Sequence, residues 1–395
     1  MTLPDSIDVL VAGAGPTGLV VANALCRHGI APLVVDADPQ VAHTSRAAVV
    51  HARTLEALEP LGVTDALIER GVRVQTFRVR DRDRVLVEVG FADLPSRYNF
   101  ALMCPQDRTE AVLVDRLRAF GTEVHRGWKL TSLHDDATAV RAEITGPSGV
   151  RRVSARYVVG ADGGHSFVRQ AADIPFEGDA YARSFILADV VMDWPLDPLE
   201  VTLFFSGQGL VVVAPLPEGH HRIVATVDEA PMHPGREEVQ ALLDTRGPQS
   251  RRASVREVVW SSRFHVHHRV ARSFHSGRLV LAGDAAHVHS PAGGQGMNTG
   301  IQDAMELADA LAAVLRGADE AATLGAYARE RREVAQRIVA LTDRMTRAAT
   351  LKSPLGREVR NALIALVGHL PPVRRRVAIT LAELRNGRNA RAVPR

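Results

Sequence analysis

Three glycines and one aspartate near the start of the chain carry the first recognisable chemistry. In GAGPTG, residues 13 to 18, Gly13 permits a tight turn, Gly15 lets a pyrophosphate approach the backbone, and Gly18 lets the following helix pack on a strand. That helix, from Thr17 to His28 with Pro16 before it, offers free N–H groups and a positive dipole end to phosphate. Asp36 follows 23 residues after Gly13, at the end of the strand-like APLVVDAD, where a carboxylate can grip a ribose hydroxyl and disfavours a 2′-phosphate. The set describes a dinucleotide site; by itself it fits NAD or FAD.

Two further segments place acids among glycines. VSARYVVGADGGHSFVR, residues 153 to 169, reads as a strand ending in Gly160-Ala161-Asp162-Gly163-Gly164 and a polar run into a helix. GRLVLAGDAAHVHSPAGGQGMNTGIQDAMELADAL, residues 277 to 311, reads as strand, glycine-rich loop and amphipathic helix, with Asp284 at the end of the strand. An acid wedged between glycines suits a loop pressed against a ligand.

In this order and at these separations the three segments resemble the flavoprotein aromatic hydroxylases typified by p-hydroxybenzoate hydroxylase, from the N-terminus to about residue 340. The resemblance implies FAD. It assigns the ADP half to Gly13, Gly15, Pro16, Thr17, Gly18 and Asp36, a shared FAD and NAD(P)H role to Asp162 and Gly163, and the ribityl chain to Gly283 and Asp284. A carboxylate suits the ribityl hydroxyls. Gly294, Gly296, Met297 and Asn298, within the loop from Gly293, would bring backbone N–H groups to the flavin's pyrimidine edge at a helix N-terminus. Arg46, within SRAAVVHART, and Gln106, within CPQDRTEAVL, match the family's flavin-contacting arginine and glutamine. One departure stands out: similar sequences often carry two consecutive prolines where this one has Ser290-Pro291. Pro291, whose carbonyl would face the substrate, is the one catalytic candidate, and the departure bears on its role as proton acceptor.

The implied reaction uses NADPH or NADH and O2, through a C4a-hydroperoxyflavin, to hydroxylate a phenolic, aromatic or polyketide-like molecule; PAGGQGxNTGIQDA is shared with bacterial tailoring hydroxylases. Baeyer–Villiger insertion or epoxidation on the same scaffold, or FAD binding without turnover, are the alternatives. An NAD-dependent dehydrogenase would need only the first motif, and the WxWxIP segment of flavin halogenases is absent.

The elements that must position these residues read as an α/β fold: a Rossmann-type FAD-binding domain, an interleaved mixed or antiparallel β-sheet substrate domain and a C-terminal helical segment. The FAD-binding domain takes residues 1–73, 101–175 and 271–345, the substrate domain 74–100 and 176–270, and the basic helical segment 346–395. Alternation in 74 to 89 and 200 to 270 predicts an antiparallel sheet with one solvated face, interrupted by the helix-like PGREEVQALLDTR. A long helix is expected from Leu324 to Leu351, then a helical tail broken at Pro371-Pro372.

Composition bounds the rest. At 395 residues and 46% hydrophobic, the chain can bury a large core. The formal charge of +3 hides a tail from Lys352 onward with ten Lys or Arg against Glu358 and Glu383, a local +8 that leaves −5 for the rest. No nucleic-acid motif accompanies that tail, so a solvated helix face or a subunit contact, and with it a homodimer, is expected. Cys26 and Cys104 make no disulfide framework, and a reducing cytoplasm fits them. No apolar run spans a membrane, since Gly13, Gly15 and Gly18 interrupt residues 9 to 25. The histidines at 220, 221, 265, 267, 268, 287 and 289 lack zinc-site spacing, so no metal is expected; His267 or His268 could serve as a general base on a phenol.

Overall fold

Residues Ser6–Ala12 (β1) are apolar and wholly buried from Val9 onward, as a strand covered on both faces must be. In the computed structural model, which describes residues 3–40, 47–136, 138–349, 351 and 353–384, β1 leads into helix Pro16–Arg27 (α1). It pairs in parallel with Leu33–Asp36 (β2) on one side and Gly149–Gly160 (β3) on the other. Leu279–Leu281 (β4) pairs in parallel with β3. The register decides what these strands can do together: Ala12 lies beside Val35 and Gly160, and Gly160 beside Leu281. All three motifs therefore leave one sheet at the same edge, the carboxyl ends of its strands, where open parallel sheets bind ligands.

The second sheet runs, by residue number, 287–288, 254–271, 176–193, 221–227, 209–215, 200–206, 76–81 and 84–90. It is antiparallel except where 200–206 meets 76–81 in parallel. The expectation of one solvated face is corrected. Ile186, Ala188, Val213 and Ile223 pack on one side against Val239 and Leu243 of helix Arg236–Arg246. On the other side Ala214 meets Ala48, Val74 and Met103 of the region around a small sheet, Val49–Val50, Ala101–Met103 and Val72–Val74. With both faces covered, the central strands read as nearly continuous apolar runs rather than alternating ones. The two-residue strand His287–Val288 pairs with Val270 and Arg269, so the segment leaving β4 joins the two sheets directly.

Helix Gly296–Leu315 (α2) packs against α1, and the long helix Glu320–Ala349 (α3) against α2. The tail forms Pro354–Gly368 (α4) and Pro371–Leu381 (α5); Pro371 and Pro372 open α5, where a missing N–H is harmless. The tail is not simply solvated. Ala378, Ile379, Leu381, Ala382 and Leu384 are buried in the main core, so the end of the tail packs back onto the body of the protein.

Candidate cofactor site

At the common edge the glycines divide into those required by packing and those that leave space. Gly13 has a φ of 101°, and a Cβ there would run into the Ala161 carbonyl; a Cβ on Gly18 would strike the Gly13 carbonyl. These two close the turn and seat α1 on the sheet. Gly15 has an ordinary φ of −72°, and a Cβ would meet nothing within 4 Å. Its smallness serves neither strain nor packing; it leaves an open approach to the N-terminus of α1, which no side chain caps. Beside it Asp36 is half-buried, Oδ2 accepting from Ala14 N at 2.6 Å and Oδ1 from Asp38 N at 2.8 Å. A carboxylate so held keeps lone pairs for a further donor.

Asp162 caps a short helix, Phe167–Ala171: its Oδ2 accepts from Phe167 N at 2.7 Å and Val168 N at 3.2 Å. Its Oδ1 is buried with no partner, and burial pushes the carboxyl above its ordinary range. Gly163, with φ 79°, again faces open space. Arg169 binds this segment to the third motif, donating to Ala285 O and Gly164 O at 3.0 Å each.

Gly283 answers to packing. A Cβ on it would lie 2.5 Å from Thr17 Oγ1, and one on Gly300 2.6 Å from the same atom, so Thr17 is clasped between α1, α2 and the end of β4. Asp284, next in sequence, is exposed at the edge. Pro291, half-buried, uses its carbonyl to accept from Gly294 N at 2.9 Å, which closes the turn through Gly293 and Gly294 and leaves one lone pair. Asn298 is fully engaged within the protein: Oδ1 accepts from His51 N at 2.8 Å, while Nδ2 donates to Val49 O at 2.9 Å and Gly294 O at 2.8 Å. What the first turn of α2 can offer a ligand is therefore the backbone N–H groups of Gly296, Met297 and Asn298. Met297 is half-buried against the core.

Gln106 opens helix Gln106–Ala119, donates from Nε2 to Glu110 Oε1 at 2.9 Å and accepts from Ala47 N at 3.4 Å. It thus steadies the chain just after Arg46, which lies outside the described residues. His267 and His268 sit on the 254–271 strand just before Arg269, the partner of Val288.

Sequence reasoning missed four groups. His51 lies against Gly293 O with Nε2 at 2.9 Å, and burial lowers it to about 4, so it is neutral there. Beneath the edge, Asp303 of α2 accepts from Gly283 N at 3.2 Å and meets His287 Nε2 at 2.6 Å and Arg331 Nε at 2.5 Å. The signal for Asp303 was available, since it stands four residues before Leu307 on the buried face of α2. Gln295, just ahead of α2, donates to Gly293 O and Leu381 O, linking the loop to the tail. In the second sheet Arg222 and Asp189 form a bidentate pair, 2.7 Å at each bond, with Arg222 directly across from Ala214.

The open cradles at Gly15 and Gly163 and the partnerless buried Oδ1 of Asp162 fit a dinucleotide lying along this edge, and the first turn of α2 fits an electron-rich ring edge. Residues 6–342 match the profile of the FAD binding domain family. The 6-methylpretetramide 4-monooxygenase of Streptomyces rimosus is 38% identical over 379 residues, covering 94% of this chain and 68% of that protein. The pentachlorophenol 4-monooxygenase of Sphingobium chlorophenolicum is 34% identical, covering 85% of this chain and 64% of that protein; the chain spans about two thirds of the length of these two relatives. Among solved structures, p-nitrophenol 4-monooxygenase from Pseudomonas putida DLL-E4 superposes with a TM-score of 0.88 at 26% identity, covering 98% of this chain and all of the other. An anhydrotetracycline hydroxylase from Streptomyces rimosus gives 0.80 at 32% identity, covering 96% of this chain and 76% of its own.

Proposed function

This chain belongs to the FAD binding domain family, and from that premise we propose that it is an FAD-dependent monooxygenase that uses NADPH or NADH and O2 to hydroxylate a phenolic, aromatic or polyketide-like substrate. One observation carries the reading: Ala12, Val35, Gly160 and Leu281 lie in register, so three separated glycine motifs converge on a single ligand edge.

In this reading Gly13, Gly15, Pro16, Thr17, Gly18 and Asp36 hold the ADP half of FAD, with Arg46 and Gln106 beside the flavin. Asp162 and Gly163 serve FAD and the nicotinamide co-substrate, Gly283 and Asp284 the ribityl chain, and Gly294, Gly296, Met297 and Asn298 the flavin ring through backbone groups. When bound, FAD supplies the redox chemistry, accepting hydride and activating O2. The protein's part is to bind, orient and keep water out. The N–H groups at the start of α2 favour negative charge on the ring beside them. The second sheet, covered by apolar side chains where it meets Ala48 and Met103, limits water near the loop. The remaining lone pair of Pro291 O orients a substrate hydroxyl. The enzyme works as a homodimer in the cytoplasm; among the described residues no helix is long and apolar enough to cross a membrane.

The test is NAD(P)H oxidation by the purified flavoprotein across a panel of phenols and anthraquinones. At least one member should accelerate oxidation well above the substrate-free rate. A bound flavin whose oxidation of either nicotinamide no member of the panel stimulates would favour FAD binding without turnover.

A further inference from the structure

Helix α4 is apolar on two sides, a pattern that belongs to a buried helix. Its inner side already has a partner: Ile364 packs against the cluster of Val79, Leu86, Phe205 and Leu210, Gly368 lies on Val87, and Asn361 Nδ2 donates to Asp81 Oδ2 at 2.9 Å. Its outer side carries Leu355, Val359, Leu363, Leu366 and Val367, and Leu370 follows two residues past its end; each is 40 to 71% exposed. At about 100° per residue the five helical residues fall within one arc of roughly 120°, with no charged residue inside it.

We infer that this arc is the contact with a second copy of the chain, the two α4 helices packing antiparallel about a two-fold axis near Leu363. The spacing is self-complementary. With Leu363 against its own copy, Val359 meets Leu366 and Val367 of the partner subunit, and Leu355 meets the partner's Leu370, as an isologous contact requires. The polar flank is complementary too. Glu358 and His369 lie on the same side of the arc, and the two-fold sets each Glu358 beside the partner's His369. The exposed apolar area is roughly 600 Å² per protomer, at the upper end of what a monomer leaves in water. Doubled, it reaches the roughly 1,200 Å² at which specific interfaces begin.

The proposed homodimer gains a surface here, and the assembly does not depend on the monooxygenase reading, because flavin content and oligomeric state are read separately. Sedimentation velocity on the holoenzyme at micromolar concentration should show two protomers. The exposed double change Leu363→Glu with Leu366→Glu should weaken association at least tenfold while flavin absorbance and the far-ultraviolet circular dichroism stay as in the wild type. Under oxidation, Leu363→Cys should link to its own copy, whereas the exposed Leu199→Cys control should not. A monomeric wild-type holoenzyme overturns the inference. So does a dimer that persists in the double variant without a Leu363→Cys link, since its interface lies elsewhere. Flotation of a monomer with phosphatidylglycerol vesicles, lost in the double variant, overturns it as well by giving the arc to a lipid surface.

Discussion

Arg331 Nε donates to Asp303 Oδ1 at 2.5 Å with both side chains wholly buried, in the layer just beneath the loop that follows β4. Burial alone would raise Asp303, but the Arg331 guanidinium and the neighbouring His287 outweigh it and hold the carboxyl at about 2. The other Asp303 oxygen accepts from Gly283 N, so the ion pair fixes the backbone from which Asp284 projects. Asp303→Asn leaves a buried guanidinium short of its counter-charge and should cost about 3–5 kcal/mol. Thermal or urea unfolding measures it; a loss under about 1 kcal/mol, the level of an exposed pair, would show that the pair is not the anchor.

The two first-motif glycines should fail in different ways. Gly13→Ala meets the Ala161 carbonyl at a left-handed φ and should destabilise the fold by about 1–3 kcal/mol. Gly15→Ala has room in the protein and should leave the unfolding midpoint of the apoprotein within about 0.5 kcal/mol of wild type while weakening FAD about tenfold or more, by taking the space of the pyrophosphate. Fluorescence titration of the apoprotein with FAD, beside its melting curve, separates the two; unchanged FAD affinity in Gly15→Ala contradicts the cradle.

Asn298→Ala removes the acceptor for His51 N and the donor to Val49 O and Gly294 O. Buried groups left without partners cost about 1–3 kcal/mol. Because the loss falls on the turn that precedes α2, FAD should dissociate faster by stopped-flow fluorescence. A variant that holds FAD as long as the wild type would place the loop's rigidity elsewhere.

Glu383 is a buried carboxyl near the end of α5 that accepts from Gln302, and burial pushes it from 4.5 up to about 8. Its folded value lies above its unfolded one, so the folded state takes up a proton between the two. That contribution is full below pH about 4.5 and is lost as pH rises through about 8. The thermal midpoint should therefore fall between those pH values, and Glu383→Gln should flatten this part of the curve. Identical pH profiles for the two proteins would mean that the carboxyl is not buried in its neutral form.

The glycine motifs were legible because each marks the end of an apolar strand, where local pattern and chemistry coincide. A Cβ on Gly15 would meet open space, whereas one on Gly283 would meet Thr17, which lies in another motif and is brought near only by tertiary packing. The engagement of the Asn298 side chain within the protein was not legible, because Val49, His51 and Gly294 converge on it from elements far apart in sequence. Asp303 and Arg331, 28 residues apart on two helices, carried no spacing signal as a pair. The second sheet hid its packing for a related reason: its covers, the helix Arg236–Arg246 and the small sheet, come from inside and outside the stretch that alternation can describe.

The most direct test of a monooxygenase is the source of the oxygen in its product. Purified flavoprotein, NADPH or NADH, the accelerating substrate and isotopically heavy O2 in ordinary water should give a product heavier by one labelled oxygen atom. A product that carries its new oxygen from water, or no oxygenated product while NAD(P)H is consumed only to hydrogen peroxide, would contradict the account.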